Sequence, residues 1–206
     1  MPETSHSDTG STNADPRQRV GGRIRADWFR VFGSAEITPK RIAAAWRTPG
    51  LRYMTAFRVV QGYPKSHPLG LIGRLMLRRE TRLWGFQIPP QVEIGAGFYI
   101  GHFGTVVVNH AARFGNNCNI AHSVTVGQQN RGSRKGAPRI GNNVWIGTGA
   151  VVVGGIEVGD NVLIAPGSYV NVDVPDNSLV MGNPATIHPK TETVVAGYID
   201  NTVAIA

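Results

Sequence analysis

Three histidines carry the reactive chemistry of this sequence. His102 sits in Gly-His-Phe-Gly, His110 follows eight residues later, and His122 lies twenty residues beyond His102. Imidazole has an unperturbed pKa of about 6.5, so near neutrality it can take a proton from a hydroxyl as that hydroxyl attacks an acyl group. His102 is either such a base or an exposed turn residue. His122 is either an acceptor or cofactor contact or a solvated corner, and His110 reads as structural or exposed. Zinc held by several histidines across a subunit interface is the competing chemistry, and no metal is expected. The single cysteine, Cys118, allows neither a disulfide framework nor a cysteine-based zinc finger, and it reads as a packing residue. A basic loop, Gln128–Arg139, adds Arg131, Arg134, Lys135 and Arg139, which suit phosphates or an anionic acceptor, or are simply solvated.

The chain that positions these groups has 206 residues, of which 41% are hydrophobic and only 17% charged. That is enough apolar material for one domain and a short appendage. Glycine, at 26 residues, is about twice its ordinary share, and 13 prolines accompany it. Such a composition excludes a long helical bundle, and the lack of glycine at every third residue excludes collagen. There is no run of 18 apolar residues, and the first residues carry no apolar secretory core, so a cytoplasmic protein is expected. The net charge of +8 is unevenly placed: residues 1–90 carry +9 and residues 91–206 carry −1. The basic half suits an anionic partner, whether a phosphorylated cofactor, a membrane surface or nucleic acid.

Composition divides the chain into a disordered tail at 1–21, a helical region at 22–87, a repeat domain at 88–188 and a C-terminal tail at 189–206. Helices are expected at Arg23–Phe32, at Lys40–Arg47 after Thr38-Pro39, at Leu51–Val60 and at Leu69–Trp84. From Ile94 an aliphatic or aromatic residue recurs every six positions, usually followed by a small one. The series runs Ile94, Ile100, Val106 with a two-residue slip to Val108, Phe114, Ile120 and Val126. After a 14-residue gap it resumes at Ile140, Ile146, Val152, Val158, Ile164 and Val170. A period of six fits neither a helix nor a hairpin meander. It fits a mainly β solenoid with one short strand per hexapeptide, three strands per coil and about four coils. The small residue after each aliphatic one is expected to permit the tight turn. If the slip and the gap are corner bulges, Ile100, Ile120, Ile146 and Ile164 form one column. His102 and His122 then share an edge one rung apart, beside Gly147, Thr148 and Ala165.

The segments GHFGTVVV, SVTVGQQNRGSRKGAPRIG, VWIGTGAVVVGGIEVGDNVLIAPGS and MGNPATI resemble a hexapeptide-repeat acyltransferase, and more narrowly the serine acetyltransferase family, over residues 45–188. Within that family the sequence is most similar to the branch found with capsule and exopolysaccharide assembly. The resemblance implies a left-handed parallel β-helix, a homotrimer with sites at subunit interfaces, and acetyl-CoA as co-substrate. It implies that His102 is the catalytic histidine and that Gly147 and Ala165 line the CoA arm, with Gly127 and Thr148 as further candidate cofactor contacts. His122, Gln87 and Arg139 are the candidate substrate contacts. The family's aspartate partner of the histidine falls at Gln87, the aspartate directly before the histidine falls at Gly101, and the loop Arg-His pair that holds serine falls at Gly136-Ala137. A backbone carbonyl, Gln87 or a neighbouring subunit is then left to orient His102. These departures count against serine as acceptor, and the resemblance to the exopolysaccharide branch implies O-acetylation of a hydroxyl on a sugar, a glycan or its precursor, in polysaccharide biosynthesis. The alternatives are a serine O-acetyltransferase of cysteine biosynthesis and a non-catalytic trimeric scaffold. The stretch from Leu69 to Leu83, with Arg74, Arg78, Arg79 and Arg82, is basic and amphipathic. It packs on the solenoid or a trimer neighbour, or lies on the inner face of an anionic membrane. Nucleic acid is disfavoured, because no recognised motif is present.

Overall fold

A computed structural model describes residues 16–34 and 36–204; the expected disordered tail lies, for residues 1–15, outside the described residues. Four helices come first: α1 (Pro16–Phe32), α2 (Pro39–Trp46), α3 (Pro49–Gly62) and α4 (Pro68–Trp84). Each opens with proline, whose fixed φ and missing N–H suit the first helical turn. Thr38 caps α2 by accepting from the Arg41 N–H, and Gly85 ends α4 in the left-handed conformation. The first helix begins six residues before the expected boundary at 22. A tertiary contact extends it: Val20 packs into a notch over Gly62, where a Cβ would meet the valine methyl at 1.9 Å.

The remainder is a three-sided parallel β-solenoid. One face pairs β1 (Phe86–Gln87), β4 (Val106–Val108), β7 (Thr125–Gly127), β10 (Val151–Val153) and β13 (Tyr169–Val170). The second pairs β2 (Glu93–Ile94), β5 (Arg113–Phe114), β8 (Arg139–Ile140) and β11 (Glu157–Val158). The third pairs β3 (Tyr99–Ile100), β6 (Asn119–Ile120), β9 (Trp145–Ile146), β12 (Leu163–Ile164) and β14 (Ser178–Met181), with β15 (Thr186–Pro189) antiparallel at its end. The expected column is present residue for residue: Ile100 pairs with Ile120, Ile120 with Ile146 and Ile146 with Ile164. The two-residue slip falls in the turn before β4, so that Val108 pairs with Val126, and β4 buries both Val106 and Val108. The coil is a left-handed parallel β-helix, the fold of its structural neighbours.

Glycine after the aliphatic residue has a different role from the one expected. A Cβ on Gly95 would lie 2.4 Å from the Gly115 carbonyl oxygen of the next coil, so these glycines allow coils to approach. The left-handed turn positions come two residues later, at Gly97, Asn117, Asn143, Asn161 and Asn177. On this edge side chains also bind backbone from coil to coil. Asn142 Oδ1 accepts from Asn116 N–H at 2.8 Å, Asp160 Oδ1 from Asn142 N–H at 2.6 Å and Asp176 Oδ1 from Asp160 N–H at 2.7 Å.

Helices plug the open end of the solenoid. Arg58, fully buried, donates to Asp27 at 2.9 Å and to the Ile94 carbonyl at 2.7 Å, and the Tyr53 hydroxyl donates to the Ile88 carbonyl at 2.9 Å. The C-terminal segment is not a loose tail. Tyr198 packs on Trp145 with centroids 5.0 Å apart, Val195 and Ile199 bury against Leu163, and Val203 exchanges hydrogen bonds with Asn117.

Candidate active site

The turn after each strand of the third face forms one edge of the solenoid. Backbone hydrogen bonds stack its rungs: Ala121 N–H donates to Ile146 O at 3.0 Å, Gly147 N–H to Ile164 O at 2.8 Å, Gly149 N–H to His122 O at 3.1 Å and Gly167 N–H to Thr148 O at 2.9 Å. The lowest rung carries His102 on the bulge between β3 and β4. The extra residues there push the turn outward, leaving His102 and Phe103 exposed, and Phe103 packs on Trp84 at 5.1 Å. Gly104 folds the bulge back over His122, where a Cβ would meet that of the histidine at 3.1 Å. The two imidazoles stand edge to face with centroids 5.8 Å apart. His122 is half-buried, and its Nδ1 is buried without a hydrogen-bond partner among the described residues.

Along the same edge lie Gly147, Thr148 and Ala165. A Cβ on Gly147 would come within 2.7 Å of the Pro166 nitrogen and 2.9 Å of the Ile164 oxygen, so the strip stays thin. Such an edge lets a narrow chain lie against backbone, which fits the pantetheine arm of acetyl-CoA. The N–H groups of Gly147, Gly149 and Gly167 are spent on the ladder and are not free for an oxyanion. The Gly101 N–H, beside His102, makes a longer bond, 3.4 Å to Ile120 O.

Other candidates lie elsewhere in the chain. Gln87 ends β1 on the adjoining face and points into a cleft against α4. Gly127 lies at the far end of that face, in register with Val153. Arg139 is on the second face, exposed, 3.7 Å from Glu157. His110 is exposed in the turn after β4. The basic loop closes on itself through the Gln129–Gly136 pair, and Arg134 meets Asp173 at 3.2 Å. Cys118 is wholly buried, its thiol pushed up to about 12 by burial. Among the described residues no group of three or more His, Cys, Asp and Glu is placed to hold a metal ion. The sequence reading missed the C-terminal strap and its seat on Trp145. Its only signal was the pair of apolar residues, Val195 and Ile199, in a segment otherwise read as a tail.

The comparisons with known proteins agree with this geometry. Residues 137–171 match the bacterial transferase hexapeptide (six repeats) family. The serine acetyltransferase of Synechococcus elongatus is 36% identical over 164 residues, which cover 80% of this chain and 67% of that protein. The chain belongs to the serine acetyltransferase family. Plant relatives are longer, and the chain spans 43% of one and 39% of another. Among solved structures, the Neisseria gonorrhoeae serine acetyltransferase in complex with serine is 27% identical, with a TM-score of 0.67, and the match covers 83% of this chain and 69% of that one. The Brucella abortus enzyme in complex with coenzyme A is 26% identical, with a TM-score of 0.68 and coverage of 87% and 71%. O-acetyl transfer from acetyl-CoA is the chemistry of this family.

Proposed function

We propose that this protein transfers the acetyl group of acetyl-CoA to a hydroxyl, with His102 as general base. The acceptor oxygen attacks the thioester carbonyl while His102 takes its proton. The tetrahedral intermediate then collapses, the carbon–sulfur bond breaks, and the proton passes from the imidazolium to the CoA sulfur. The observation that carries this reading is the shared edge: His102 and His122 stand on the same corner of the coil as the thin strip of Gly147, Thr148 and Ala165. A homotrimer, with the site completed by a neighbour, is part of the proposal.

L-serine is the acceptor that the relatives support, since they bear the name of that activity and one was solved with serine bound. A sugar hydroxyl is the second reading, and one observation favours it: Gln87, Gly101, Gly136 and Ala137 stand where the resemblance places the histidine's partners and the serine contacts, so this chain has no acid or base at any of the four. No described helix is long and apolar enough to cross a membrane. The test is CoA thiol release from acetyl-CoA with L-serine or with a panel of sugars, using His102→Ala as control. Release with serine supports the first acceptor, and release with sugars alone supports the second. Release that the His102→Ala variant matches overturns the proposed role of this histidine.

A further inference from the structure

Away from the two histidines, a cleft of about 630 Å³ opens between α4 and the first coil. Lys65, Arg74, Arg78 and Arg82 line it from the helical side, and Gln87 and Gln91 from the solenoid. No aspartate or glutamate lines it. The acid nearest in sequence, Glu80, faces the core, where Arg52, Arg79 and the Trp84 indole already hold it. Lys65, Arg74, Arg78 and Arg82 make no ion pair among the described residues. Arg74 is pinned by the carbonyls of Tyr63 at 3.1 Å and Gly70 at 2.8 Å, which fix its position without neutralising it.

Four unneutralised cations around one cleft repel one another, and neither a neutral sugar nor zwitterionic serine balances them. A lone carboxylate would offset one charge of the four. A phosphate ester or diphosphate offers several oxygens and more than one negative charge, which the planar forks of Arg78 and Arg82 match. Thr81, Gln87 and Gln91 place neutral hydrogen-bonding groups beside the cations, suited to hydroxyls on the same ligand. We propose that this cleft binds a phosphate- or diphosphate-bearing ligand, at a site separate from the CoA edge. The inference does not depend on which acceptor is acetylated. Leu71 and Leu75, both exposed, continue the row toward the start of α4, so the phosphate could belong to a soluble ester or to a lipid headgroup beneath them.

The test is calorimetric titration of the intact protein with inorganic pyrophosphate, with and without saturating CoA. The expected result is saturable binding that CoA leaves unchanged and that Arg78→Gln/Arg82→Gln weakens by at least about tenfold. Both arginines are exposed and free of ion pairs, so the double variant should keep its fold, which circular dichroism and acetyl transfer would check. Sedimentation with phosphatidylglycerol vesicles, against phosphatidylcholine alone, separates the sources. Binding lost in both Arg78→Gln/Arg82→Gln and Leu71→Ser/Leu75→Ser assigns the phosphate to a lipid, and its absence assigns it to a soluble ester. No saturable pyrophosphate binding, or equal binding by the arginine variant, overturns the proposal, as does vesicle binding without pyrophosphate binding. Loss of pyrophosphate binding on adding CoA, with weaker CoA binding in the arginine variant, overturns the claim of a separate site.

Discussion

His102 and His122 meet edge to face, their ring centroids 5.8 Å apart and their planes at 89°. They are twenty residues apart in sequence and one rung apart in the coil, because Ile100 and Ile120 are paired. One imidazole is exposed and reaches outward. The other is half-buried behind it and limits how far the first can swing.

Replacing the exposed ring should therefore abolish chemistry without harming the fold. His102→Ala is expected to lower kcat by about 10²- to 10⁴-fold, the usual contribution of a positioned base. The melting temperature should stay within a degree or two of the wild type, since surface changes of this kind cost about 0.5 kcal/mol or less. Thiol release and thermal melts on the same preparation check both halves.

His122 should act through its neighbour. His122→Ala removes the edge against which the His102 ring rests and is expected to lower kcat about tenfold, with a smaller change in the KM for acetyl-CoA, because misplacing a reacting group costs rate. Steady-state kinetics in both substrates would show the split. A rise in KM alone would mean that His122 only contacts substrate.

Much of this edge was legible before the fold was known. Hexapeptide phase put Ile100, Ile120, Ile146 and Ile164 in one column, and the histidines follow two residues behind two of them. The phase worked because each inward side chain must be a large apolar one at a fixed spacing. What it could not reach were contacts without periodicity. Arg139 was grouped with the site because it is basic and near the loop, but it falls on another face beside Glu157. Val20 over Gly62 and the strap from Val195 to Val203 depend on shape between distant segments. The reason for glycine after the aliphatic residue was misread for the same cause, because coil-to-coil approach is invisible along a single coil.

Gly147 tests the thin edge directly. Its missing Cβ would overlap the backbone of Pro166 and Ile164, which cannot rotate away as a side chain would. Gly147→Ala is expected to cost about 1–3 kcal/mol of stability, the usual price of overpacking, and to weaken CoA binding more than it weakens acceptor binding. Urea titration and CoA calorimetry would measure the two effects.

The Arg58–Asp27 pair predicts a pH effect. Burial pushes the Asp27 carboxyl upward, and Arg58 opposes that by attraction and hydrogen bonding. Arg58→Met leaves only the backbone N–H groups of Phe98 and Gly97 to oppose burial and should cost about 3–5 kcal/mol at neutral pH. In that variant the folded state takes up a proton more readily than the unfolded one, so its stability should recover as pH falls toward the ordinary carboxylate range. Urea midpoints of variant and wild type at neutral and mildly acidic pH should converge. A gap that stays constant would mean that Asp27 does not protonate in the fold.

At alkaline pH two buried acids should act in the same direction. Burial raises the Cys118 thiol from 9.0 and the Tyr53 phenol from 10.0, each to about 12. In the unfolded chain both lose their protons at the lower values, while the folded chain keeps them. Between those values and about 12 the unfolded state binds fewer protons, so stability falls as pH rises. Below the unfolded values both contributions are fully present, so the urea midpoint should hold until about pH 9 and then fall steadily. Cys118→Ala should flatten the first part of that fall and leave the Tyr53 part in place. The same burial predicts that Cys118 in the folded protein resists a thiol reagent at mildly alkaline pH and reacts at the rate of unfolding, because the thiolate is the nucleophile. Fast labelling of the native protein would show the thiol to be accessible and ionised, contrary to its position beneath the Gly141 carbonyl, 3.2 Å away.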